Sequence, residues 1–233
     1  MSVDVLDAPA ARKSPGDVFV DTLIGQLPYL SEGHHYLVNR VSWGAYEHLL
    51  IQLGVHHRRA RVTFDRGELE FMSNTSIHER WKMAIDRMIA AFAEHVQVTA
   101  DPTGEVTISR LDLQRGIQPD QSYYIQNVAG LVRHRPLNFN IDPVPDLAIE
   151  IEYSRTVIDR LPVFAALGIP ELWVYDGERF QVLQLTAEGA YQEATASRCF
   201  PSMPLQLVVE LLAVVSERDI PSVVREFRSR LIG

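Results

Sequence analysis

Asp146-Leu147-Ala148-Ile149-Glu150-Ile151-Glu152-Tyr153 constrains this chain more than any other run of residues. Its apolar and polar residues alternate with period two. As a strand it points Leu147, Ile149 and Ile151 one way and Asp146, Glu150 and Glu152 the other. Acids repeating along one face of a strand are costly unless water, a cation or a metal faces them. Upstream, Pro119-Asp120 heads a second apolar run after a Gly116-Ile117-Gln118-Pro119 turn. Carboxylates converging from neighbouring strands make a hard oxygen site suited to magnesium or manganese. Metal-assisted chemistry is the expectation. The plainer alternative places Glu150 and Glu152 on the solvated face of an antiparallel sheet.

With 233 residues the chain can bury one sizeable core. Nothing in its composition divides it, so a single domain over 17–233 behind a disordered tail over 1–16 is expected. The tail has no apolar centre and does not read as a secretory signal. One cysteine, Cys199, excludes an internal disulfide framework and a cysteine-rich zinc site, and it fits a cytoplasmic setting. No apolar stretch approaches bilayer length. A formal charge of −8 argues against broad coating of nucleic acid, though not against an enzyme that acts on it. The densest basic run, His56, His57, Arg58, Arg59 and Arg61, reads as a solvated loop leading into a strand.

Apolar spacing predicts a helix over 42–53 with Ser42 as N-cap and Gly54 as its end. A hairpin follows, with strands 61–64 and 69–72 about Asp65-Arg66-Gly67. Ile77, Trp81, Ile85, Met88 and Phe92 form one stripe of a long helix over 77–96. Strands are expected at 106–108 and 123–125, with a loop over 133–142 leading into the acidic strand. A helix beginning near Leu161, because of Pro162, is closed by Gly168. A strand over 171–175, a hairpin of 180–185 with 191–195, and two helices broken near Pro221 complete an α/β chain.

Other candidates weigh less. His34-His35 and His56-His57 are adjacent pairs whose side chains diverge in regular structure, which suits surface residues. Trp81, Trp173 and Tyr175 read as core aromatics. There is no Gly-x-Ser-x-Gly elbow for a serine hydrolase. Paired carboxylates also suit a glycosidase, but the chain lacks the aromatic abundance and length usual for that work.

The order Pro119-Asp120, then Asp146-Leu147 through Glu150 and Glu152, then Leu161-Pro-Val-Phe-Ala-Ala-Leu-Gly-Ile-Pro-Glu-Leu-Trp-Val-Tyr-Asp176, resembles the Uma2 family within the PD-(D/E)XK nuclease superfamily. Gly67-Glu-Leu-Glu-Phe-Met-Ser73, His78-Glu79 and Gly116 through Asn127 extend the resemblance over most of the chain. It implies a restriction-endonuclease-like core, a mixed β-sheet flanked by helices with the acids at its centre. It also implies a Mg2+- or Mn2+-dependent endonuclease acting on DNA, with a homodimer by analogy. Asp120 and Glu150 would be the motif acids and metal ligands, with Glu79 as a further ligand. The superfamily's lysine is replaced by Glu152, an added ligand or the group that orients water. Arg160, eight positions before Gly168, stands where the family often places a basic residue, and its role can only be electrostatic or positional. His78, Tyr124 and Gln126 are candidates for the edge of the substrate site. Loss of the lysine leaves open a degenerate fold that binds nucleic acid or protein without cleaving.

Overall fold

The computed structural model describes residues 13–30, 34–56, 60–73, 76–131, 134–152 and 156–232. Its first element, α1 (Pro15–Gln26), is capped by Ser14, whose Oγ accepts from the Asp17 amide at 3.0 Å. The helix therefore starts inside the expected tail, of which residues 1–12 lie outside the described residues. β1 (His35–Asn39) leads to α2 (Trp43–Val55), where Ser42 accepts from the Ala45 amide as predicted. That helix does not stop at Gly54. The His56 amide continues its ladder to the Gln52 carbonyl at 2.9 Å. β2 (Ala60–Asp65) and β3 (Glu68–Ser73) form the predicted hairpin. Arg66 and Gly67 both take positive φ, 48° and 93°, which matches the right-handed twist of the strands they join.

The long amphipathic helix is α3 (Ser76–Val96). Four short strands follow: β4 (Asp101–Pro102), β5 (Ile108–Arg110), β6 (Arg115–Ile117) and β7 (Gln121–Tyr124). Val106 and Thr107 thus precede the strand expected to contain them. Gly116 and Ile117 belong to a strand, so the turn expected there shrinks to Gln118-Pro119. β8 (Leu147–Ile151) is the acidic strand, and α4 (Arg160–Leu167) carries Pro162 harmlessly in its first turn. Gly168 closes α4 in the left-handed conformation at φ 82°. β9 (Glu171–Tyr175), β10 (Phe180–Leu185), β11 (Tyr191–Ala194), α5 (Leu205–Leu212) and α6 (Ile220–Ile232) complete the order.

Two sheets result where the sequence suggested one. The first is antiparallel, in the order β1-β3-β2-β6-β5. The second runs β11-β10-β9-β8-β7-β4 and is mixed, with β8 parallel to β9 and α4 as the crossover between them. This mixed α/β architecture with flanking helices agrees with the restriction-endonuclease-like expectation. The chain changes sheets within a few residues. The Gln118 amide still bonds Val62 O of the first sheet, at 3.2 Å, while the Asp120 amide bonds Ile149 O of the second, at 3.1 Å.

α3, α5 and α6 bury one face of the second sheet, through Ile85, Met88, Phe92 and Phe227 against Leu147, Ile149, Ile151 and Trp173. The opposite face, carrying Ala148, Leu172 and Val174, meets Val163 and Phe164 of α4 and Ile117. α1 and α2 pack on the first sheet through Leu23, Leu49, Phe64 and Phe71. β8 is therefore buried on both faces, and the solvated-face reading of Glu150 fails. The aromatic expectations hold: Trp81, Trp173 and Tyr175 are buried. Among the described residues no helix is long and apolar enough to cross a membrane.

Candidate active site

The pairing of β7 with β8 places Gln121 opposite Ile149, which sets Asp120 beside Glu150 at the sheet's centre. Both acids are almost fully buried, at 2% and 1% exposure. Asp120 is locked to the strand next to it, since its Oδ2 accepts the Ile151 amide at 2.7 Å. Arg61 reaches them from β2 of the other sheet. Its Nη2 donates to Glu150 Oε2, its Nη1 donates to the Ile151 carbonyl at 2.8 Å, and its Nε lies 3.4 Å from Asp120 Oδ1. A second guanidinium enters from the first residue of α4. Arg160 Nη1 lies 2.7 Å from Glu150 Oε2, and Nη2 donates to Gln118 O at 2.9 Å. His78, in the first turns of α3, puts Nε2 3.0 Å from Asp120 Oδ2.

Burial works against charge at each of these groups, and the partners decide the outcome. Burial raises the Asp120 pKa, but Arg61 and His78 outweigh it and hold the carboxyl well below the usual carboxylate range. At Glu150 burial prevails over Arg160 and Arg61 and pushes the carboxyl up to about 7. His78 shows the reverse balance. Burial lowers its pKa, yet the nearby carboxylates of Asp120 and Glu79 carry it up to about 9.

Of the residues proposed from sequence, the structure gathers Asp120, Glu150, Arg160 and His78. Glu152 extends the Glu150 face by one repeat and is only half-buried, its amide donating to Tyr175 O at 2.8 Å. Glu79 does not join the two acids. It lies 3.0 Å from Lys82 Nζ, and the buried Lys82 also pairs with Glu105. Tyr124 and Gln126 sit at the far end of β7. The Tyr124 hydroxyl donates to Pro143 O, and the Gln126 amide donates to Asp146 Oδ2 at 2.8 Å. Asp146, on the acidic face in sequence, also accepts from the amides of Ile125 and Asn127 and from the Asn127 side chain, so it caps a turn.

Two contributors escaped the sequence reading. The sequence places Arg61 in a solvated basic run, yet it is 6% exposed and holds both acids; His57, Arg58 and Arg59 of that run lie outside the described residues. The available signal was its place in β2, on the same side of the alternation as Thr63 and opposite Val62 and Phe64. Glu70 of β3 is the other. Buried at 2% exposure, it accepts the amides of Val157 and Ile158 at 2.7 and 3.1 Å, and His35 Nε2 lies 2.6 Å from it. It thereby pins the segment that delivers Arg160.

Among the described residues no three His, Cys, Asp or Glu side chains form a metal-holding group. A different donor set is present. Asp120 Oδ1, Glu150 Oε2 and the Ile151 carbonyl all face the one guanidinium of Arg61, and Glu150 Oε1 is buried without a hydrogen-bond partner. Two carboxylates and a carbonyl are the hard oxygens that magnesium or manganese takes, so the donor chemistry fits such an ion.

A family model named Uma2, described as putative restriction endonuclease, matches residues 43–215. No curated protein matches the chain.

Proposed function

We infer that this chain, which belongs to the Uma2 family, is a metal-dependent endonuclease that hydrolyses phosphodiester bonds of DNA at Asp120 and Glu150. The observation that carries the reading is the convergence of two buried carboxylates and a main-chain carbonyl on a single cationic position at the centre of a mixed sheet. Asp120 and Glu150 would hold Mg2+ or Mn2+ through carboxylate oxygens, and Ile151 through its carbonyl. Such an ion supplies Lewis acidity at a phosphoryl oxygen and lowers the pKa of a bound water. Asp120 is kept ionised by its neighbours and fixed in direction by the Ile151 amide, so it is a preorganised anionic ligand. Arg160 stays charged and sits at Glu150, where it can oppose negative charge gathering on a phosphate but cannot take a proton. Glu152 occupies the position of the superfamily's lysine. Half-buried and acceptor-only, it is suited to orient an attacking water. His78 holds Asp120 from the helix side and is a positioning residue.

A homodimer accompanies this reading by analogy, twofold dimers being the commonest symmetric assembly. A cytoplasmic location, in keeping with the single cysteine, accompanies this reading. One observation favours the alternative of a non-cleaving scaffold: Arg61, Arg160 and His78 already balance the acids, with no lysine at 152. Supercoiled plasmid and single-stranded DNA incubated with magnesium, manganese or EDTA separate the two. Nicking that needs the metal and is lost in Asp120→Asn and Glu150→Gln supports the nuclease. No cleavage with any metal, or cleavage unchanged in those variants, moves the reading to the scaffold.

A further inference from the structure

We propose that the Arg61 guanidinium is the resident cation of this site in the metal-free protein, and that a divalent ion enters only by displacing it. The proposal rests on the metal-binding reading above and adds to it a competitor built into the chain. Each nitrogen of the Arg61 fork faces a different oxygen of the donor set: Nε faces Asp120 Oδ1, Nη2 faces Glu150 Oε2 and Nη1 faces Ile151 O. A planar group meeting three oxygens on separate residues fills the space those oxygens would share around an ion. Arg160 shares Glu150 Oε2 from one side, but an ion bound to all three oxygens would need the space the Arg61 fork fills, so the two exclude each other sterically.

The geometry also indicates how exchange begins. Among the described residues Arg61 Nε makes no hydrogen bond, and its 3.4 Å approach to Asp120 is the longest of the three contacts. Glu150 Oε1 has no hydrogen-bond partner among the described residues. An incoming ion therefore finds one vacant buried oxygen and one loosely held edge before it meets the two firm bonds. β2 is paired with β3 along its length, Arg61 lying opposite Met72, and with β6 from Thr63 to Asp65, which holds its backbone in place. The side chain must rotate out on its own. The result is a site whose metal affinity is held down by its own strand.

Manganese binding, read by electron paramagnetic resonance and calorimetry on the full chain, tests this without reference to cleavage. Wild type is compared with Arg61→Gln and Arg61→Lys, each checked for folding by circular dichroism. We expect Arg61→Gln to bind one ion at least tenfold more tightly than wild type, with Arg61→Lys in between. Equal affinity in all three overturns the exchange and leaves the metal site standing. Absence of binding in folded wild type and folded variants overturns both. Because removing Arg61 can unfold the chain, a second measurement uses wild type alone. The 15N guanidinium resonance of Arg61 should be protected from solvent without metal and lose that protection as magnesium saturates the protein. A resonance unchanged while magnesium binds overturns the proposal, and failure of magnesium to bind overturns the metal reading with it.

Discussion

At His78 the two neighbouring carboxylates raise the folded pKa to about 9 from an ordinary 6.5, against the pull of burial. A histidine raised in this way stabilises the fold fully below its unfolded pKa and loses that contribution as pH climbs through the folded one. Urea melts of metal-free protein should therefore show stability falling between about pH 6.5 and 9, by up to about 3 kcal/mol. His78→Asn should flatten that limb, and a limb unchanged in the variant would remove His78 as its source. Glu150 acts in the same direction lower down, because its raised carboxyl binds a proton more readily folded than unfolded between about 4.5 and 7. Tyr46 makes a separate case. Its hydroxyl is buried without a hydrogen-bond partner, so Tyr46→Phe should leave stability unchanged or raise it by about 1 kcal/mol in the same melts. At this scale Glu150 was legible from the period-two alternation of its strand, and Asp120 from the Pro119-Asp120 turn together with the family resemblance. Arg61 was not, because a lone arginine beside other basic residues looks like solvated surface. Its partners come from strands about sixty and ninety residues downstream, and only tertiary structure shows them.

Among the elements, β8, the hairpin of β2 and β3, α3 and the β9–β11 strands follow from alternation, helical spacing and glycine turns. The elements the sequence did not yield are short or lack a dominant face. β4 has two residues and β6 three. α1 buries Gly16, Val20 and Leu23 while Val18 and Phe19 stay exposed, so its apolar residues form no clean stripe. Those elements exist because of what they meet. At Gly116 in β6 an added Cβ would collide with the buried ring of Tyr46. Gly116→Ala should therefore push α2 from the sheet and cost about 1–3 kcal/mol, read as a drop in the urea midpoint. The loop between β8 and α4 depends similarly on Glu70. Glu70→Ala strips a buried acceptor from two amides and should cost about 1–3 kcal/mol. In that variant hydrogen exchange at Val157 and Ile158 should quicken; unchanged exchange would dissociate Glu70 from that loop.

The whole molecule is two sheets joined where the chain crosses at Gln118-Pro119 and where Arg61 reaches across. The three tryptophans report on both: Trp43 packs with the first sheet, Trp81 and Trp173 with the second. If 17–233 is one cooperative unit, tryptophan fluorescence and circular dichroism should trace the same denaturation curve. Separated midpoints would mean two units that melt independently. The placement of Arg61 also has an evolutionary consequence. Asp120 and Glu150 bind it whether or not any phosphodiester is ever cut, so they tie one layer of the protein to the other as well as forming a site. If the chain is a nuclease, a relative that lost cleavage would still gain from keeping all three residues as a tie between the sheets. Retention of both acids in a descendant is therefore no proof that the descendant still cuts.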